Sequence, residues 1–87
     1  MNKYLITYDL KNRIKNYDSL YVAIKNLGTW WHYLDSTWII KTNLTSSQIW
    51  GILAPHVTTI DRVLIIKIDT SDKWGWLTQD AWNWLSI

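Results

Sequence analysis

Eight tryptophans and five tyrosines, with no phenylalanine, are more aromatic surface than a chain of 87 residues can hide. Each such ring buries ~150–250 Å², and a domain of this size buries only about 60–65% of the surface its unfolded chain exposes. Some of the rings therefore lie at a subunit interface, under a ligand or in the open. The densest stretch, WWHYLDSTWII over residues 30–40, has two readings: core plus dimer interface, or a platform on which bases or other planar ligands stack.

Periodicity narrows the fold. KYLITYDL (3–10) alternates Tyr4, Ile6 and Tyr8 with Leu5, Thr7 and Asp9, the period of a strand. A basic segment, KNRIKN, leads into a helix with Asn16 as N-cap, an apolar stripe of Tyr17, Leu20, Tyr21, Ile24 and Leu27, and Gly28 as a left-handed stop. With Asp35-Ser36 as a tight turn, the stretch 30–40 becomes a hairpin in which Tyr33 pairs with Trp38 and Trp31 with Ile40. That register turns Trp31, Tyr33 and Trp38 inward, and Trp30, His32, Leu34, Thr37, Ile39 and Lys41 to the opposite face. Thr45 and Gln48 form a capping-box pattern for a second helix that Pro55 ends. DRVLIIKID (61–69) reads as a strand buried on both faces, and the last residues as a loop and a short helix capped by Thr78.

The order β-α-β-β-α-β predicts a ferredoxin-like α+β sandwich over residues 1–69, with a Trp-rich tail, 70–87, belonging to the same domain. Such a sandwich has helices on one face of its sheet only. The other face predicts a homodimer packed sheet to sheet. Trp74, Trp76, Trp82 and Trp84 are expected to divide between packing over the sheet and exposure, in cis or across a dimer.

With no cysteine, disulfides, thiolate metal sites and thiol nucleophiles are excluded. His32 and His56, the only histidines, are not at ligand spacing from one another. The residues MNKYLITYDLKN carry no apolar signal core and no run approaches the ~20 residues of a membrane span. A soluble, cytoplasmic protein without membrane contact is expected. A net charge of +2 is too small to argue nucleic-acid binding by itself, but Lys11, Arg13 and Lys15 form a local basic cluster that a dimer would double. Every acidic residue is an aspartate, so carboxylate chemistry has to use Asp.

The segments YLITYDL, YDSLYVAIKNLG, WWHYLDSTWII, PHV and DRVLIIKI resemble the SinR-like family of small bacterial and phage-associated proteins. That family is related to the small nuclease-like subunit of the CRISPR spacer-acquisition complex and to the VapD toxin ribonucleases. The resemblance covers residues 3–69 and implies the ferredoxin-like fold and a homodimer. In the nuclease relatives a strand-terminal Tyr-Asp sets one aspartate per subunit near the dimer axis; Tyr8 and Asp9 match it. Paired carboxylates repel, and a bridging Mg²⁺ would relieve that repulsion and activate water. The ordinary reading is that Asp9 caps its loop or pairs with Lys11 or Arg13. Ser36 matches a small hydroxyl position, with a phosphate contact or plain solvation as its alternatives. His32 could serve as general acid or stacking group, or be an interface residue. His56 reads as a helix-end histidine.

Three functions compete. The leading one is a homodimer that binds nucleic acid or nucleotides, in a phage or bacterial defence context, through Tyr8, Lys11, Arg13, Lys15, Trp30, His32, Ser36, Trp74 and Trp76. The second is a Mg-dependent endonuclease using paired Asp9. The third is a protein that sequesters a nucleotide signal or occupies a host protein surface.

Overall fold

Alternating apolar residues make Asn2–Asp9 a strand, β1, that runs through the middle of a four-stranded antiparallel sheet. The structure, a computed structural model, describes residues 1–86. After β1 come α1 (Asp18–Lys25), β2 (Thr29–Leu34), β3 (Thr37–Thr42), α2 (Ser46–Leu53), a 3-10 turn (Ala54–His56), β4 (Arg62–Ile68) and α3 (Gln79–Leu85). The sheet order is β2-β3-β1-β4, so each β-α-β unit straddles one strand contributed by the other. The chain is thus an α+β sandwich of the split β-α-β kind expected for a ferredoxin-like fold.

One sheet face carries α1 and α2. Tyr4 and Ile6 of β1 and Trp38 and Ile40 of β3 meet Leu20, Ile24, Ile49 and Leu53 in the main core. Burying each of those leucines and isoleucines stabilises the fold by about 1.5–3 kcal/mol relative to exposure. The capping box of α2 is complete: the Thr45 hydroxyl accepts from Gln48 N–H, and the Gln48 side chain accepts from Thr45 N–H at 2.9 Å. At α1 the expected cap is displaced. Asn16 accepts from Asp18 N–H at 2.8 Å in a turn one residue earlier, and the cap position is Tyr17, whose side chain makes no capping hydrogen bond to the helix. Gly28 is not a left-handed stop either; a Cβ there would drive into the Lys41 carbonyl, so what it provides is close approach of two backbones.

The second face is not left for a partner to cover whole. Trp31 (2% exposed) and Ile39 pack against Ala81 and Leu85 of α3 from the same chain. The Trp31 indole N–H donates to the Ala81 carbonyl at 3.1 Å. Lys41 Nζ lies 4.3 Å from the Trp84 ring centroid, and burial, with Lys3 nearby, lowers its pKa. Trp82 and Trp84 pack in this layer while Trp74 and Trp76 do not. The sheet-to-sheet expectation fails where α3 lies, because the tail supplies the missing layer in cis.

The hairpin register also differs from the expected one. Trp31 pairs with Ile39 and Trp30 with Ile40, yet Leu34 pairs with Thr37, so β2 advances three residues where β3 advances two. This bulge inserts one residue and inverts the facing of everything before it. Trp30 and His32 consequently lie on the helix side, and Trp31 on the α3 side.

Candidate functional site

The β2–β3 turn, the end of β1 and the start of β4 converge at one end of the sheet. Ser36 O accepts from Tyr8 N–H and from the Thr7 hydroxyl, both at 3.1 Å, which ties the turn to β1. Asp9 pairs across the sheet with Arg62. Thr7, Tyr8, Asp9, Arg62, Val63 and Leu64 line a shallow depression of about 330 Å³. This end therefore gathers Tyr8, Asp9, Lys11 and Ser36 from the expected set and adds Arg62, which sequence reasoning took for a strand residue. Its position directly after Asp61 at a strand entry was the available signal.

Asp9 is exposed and forms an ion pair with Lys11 at 3.4 Å. Among the described residues no three His, Asp or Glu side chains come together as a metal site. The residues of one chain therefore do not fit a magnesium ion at Asp9; the paired-carboxylate arrangement would need a second chain to bring its own Asp9 alongside.

The buried carboxylate of this region is Asp61, 8% exposed. Lys11 N–H, Thr58 N–H, the Thr58 hydroxyl and the Tyr17 hydroxyl all donate to it, at 2.7–3.0 Å. Burial pushes its pKa up, but the four donors together hold it well below the usual carboxylate range. The Tyr17 hydroxyl moves up, through burial and through donation to Asp61. Asp61 fastens the loop that carries Lys11, Arg13 and Lys15 to the start of β4. Of that basic cluster, Lys15 lies 5.6 Å from the Tyr17 ring centroid and Arg13 is exposed.

Trp30 and His32 belong to an aromatic cluster on the helix layer, not to a partner-facing surface. The His32 ring stacks on Trp38 at 3.6 Å and 13°, with Nε2 donating to the Asp35 carbonyl at 3.0 Å. Trp30 tilts against Trp38 at 5.6 Å and holds Lys25 Nζ 5.1 Å from its ring centroid. Tyr8 accepts from Trp38 Nε1 at 3.0 Å; burial raises its pKa, and that hydrogen bond opposes the rise. These rings partner one another. His56 shares a hydrogen bond with Ser19 at 3.0 Å.

The unpartnered aromatics are Trp74 and Trp76, each 99% exposed on the segment between β4 and α3. Trp76 stands beside half-exposed Tyr33 and Leu34, with Leu77 and Thr78, around an open hollow of about 420 Å³. Tyr33 was expected inside; the bulge puts it here. No helix of the described residues is long and apolar enough to cross a membrane. Comparison with protein-family models, with curated proteins and with solved structures gave no match.

Proposed function

We propose that the chain is a homodimeric module that binds nucleic acid or nucleotides, stacking bases on Trp74 and Trp76 and holding phosphates with the cations at the sheet end. The observation that carries this reading is the exposure of those two tryptophans, 99% each. A ring left in water forgoes all its burial energy, and base–aromatic stacking returns ~1–3 kcal/mol per base. Tyr33 beside Trp76 extends the platform. Lys11, Arg13 and Arg62 supply charge without the excess that would bind any polyanion. A phage or bacterial defence context is taken from the family resemblance, and a cytoplasmic site of action from the absence of cysteine.

Tryptophan fluorescence tests it. Oligonucleotide is expected to quench the emission, with log affinity falling linearly in log salt by ~0.7 per phosphate contacted. The Trp74→Ala/Trp76→Ala double variant is expected to lose the quench while keeping its circular dichroism. A mononucleotide that quenches as fully as a polymer would make the ligand a small nucleotide. Emission unmoved by RNA, DNA and mononucleotides would sink the reading.

A further inference from the structure

Beyond Arg62, Val63 and Leu64 at the sheet-end depression, the free edge of β4 is not used by the proposed ligand site, and it is the least protected surface of the sheet. RVLIIKI reads as a strand buried on both faces, yet in one chain it is an outer strand with Leu64 53% and Ile66 48% exposed. Natural edges are blunted by proline, a bulge, an inward charge or a covering loop. Of these β4 has only charge, Arg62 at its start and Lys67 in register with Tyr4 near its end: it contains no proline and pairs with β1 in unbroken register from Arg62 to Ile68. The chain that leaves it is drawn back over the sheet, because Thr70 Oγ1 accepts from Lys3 Nζ at 2.7 Å and donates to the Leu85 carbonyl at 3.3 Å. The opposite edge, β2, carries the bulge.

We propose that two copies of the chain pair antiparallel through β4, edge to edge, with Ile65 on the two-fold axis, to make one continuous sheet. The strand suits itself as a partner. In this register Leu64 faces the partner's Ile66 and the partner's Leu64 faces Ile66, so four half-exposed apolar side chains close over one another on the face that α3 leaves open. Val63 lies opposite Lys67 and Arg62 opposite Ile68, so neither cation of the strand meets another cation. Strand pairing alone falls short of the ~1,200 Å² of a stable interface. The second layer adds to it: half-exposed Trp50 of α2 overhangs the edge beside Val63 and Ile65. With β1 one strand further out and Asp9 three residues from the axis position, the two Asp9 carboxylates stand about 25 Å apart. This dimer therefore does not build the bridged metal site that the nuclease resemblance implies.

The inference rests on the dimeric half of the proposed function and not on its ligand, which tryptophan quenching reads separately. The experiment is sedimentation of the wild-type chain and of Leu64→Lys/Ile66→Lys, with oxidative cross-linking of Ile65→Cys in this cysteine-free background and Thr29→Cys on the β2 edge as control. A dimeric wild type, a monomeric and folded lysine variant, and a covalent dimer from Ile65→Cys but not Thr29→Cys are expected. If the lysine variant does not fold, the cross-link decides. A wild-type dimer that neither cross-links at residue 65 nor dissociates with the lysines overturns the edge proposal and leaves the homodimer standing. A monomeric wild type overturns both.

Discussion

Asp61 shows how much of this fold hangs on one side chain. Its carboxylate gathers donors from Lys11, Tyr17 and Thr58 and so closes two loops at once. Its folded pKa lies below the unfolded value of ~3.9. The stabilisation it supplies is therefore fully present above that unfolded value and is lost as the pH falls through the lower folded one. Urea titrations across this range are expected to show a stability that drops below about pH 4. Asp61→Asn is expected to cost about 3 kcal/mol at neutral pH and to flatten that acid limb, since buried donors would lose a charged acceptor. A variant that retains the acid limb would assign it to other carboxylates. Gly28→Ala is the second test at this scale. The added methyl group meets the Lys41 carbonyl, and overpacking against backbone is expected to cost about 2–3 kcal/mol by chemical denaturation. The close approach at Gly28 was hidden from sequence, where a glycine after a helix signals a stop; the role of Asp61 was hidden because Lys11 and Tyr17 lie far from it along the chain.

Among the elements, α3 decides the fate of the helix-free face. Ala81 and Leu85 cover Trp31 and Ile39, so Leu85→Ala is expected to lower unfolding free energy by about 2–4 kcal/mol. Trp74→Ala and Trp76→Ala, which remove only solvated rings, are expected to stay within about 0.5 kcal/mol of wild type. Equal effects at the two places would mean that α3 does not dock as described. Elements whose signals are local were legible: the Thr45–Gln48 box, the Thr78 cap, the Asp35-Ser36 turn, the strand period of β1 and the position of β4 along the chain all fall where the pattern puts them. The facing of Trp30, Trp31, His32 and Tyr33 was not legible. A bulge shifts register by one residue, and a strand apolar on both faces gives alternation nothing to lock onto. The same ambiguity hid the edge position of β4, whose apolar run describes equally an inner strand and an outer strand awaiting a neighbour.

At the scale of the whole molecule, pairing through β4 fixes where the aromatic sites point. A two-fold axis that joins antiparallel edges stands perpendicular to the sheet, so the two faces opposite α1 and α2, each carrying its α3, look the same way. Trp76 neighbours Tyr33 and Leu34 of β2, the strand farthest from the axis in each copy. Across the joined sheet, and allowing for the offset of the turns along the strands, the two aromatic sites stand about 40 Å apart. A short oligothymidylate reaches one of them. A long one reaches both, and its second contact is intramolecular. The long strand is accordingly expected to bind the wild-type dimer about 100-fold more tightly than the short one, in quenching titrations at one fixed salt concentration. Long polymers also offer more register positions and more phosphates, so the decisive comparison is with Leu64→Lys/Ile66→Lys. That variant leaves Trp74 and Trp76 untouched, and because its added lysines near Arg62 attract short and long strands alike, the quantity compared is the ratio of long- to short-strand affinity, which is expected to lose most of its gain. An unchanged gain in a monomeric variant would trace it to the polymer, and the two aromatic sites would then act independently of the sheet that joins them.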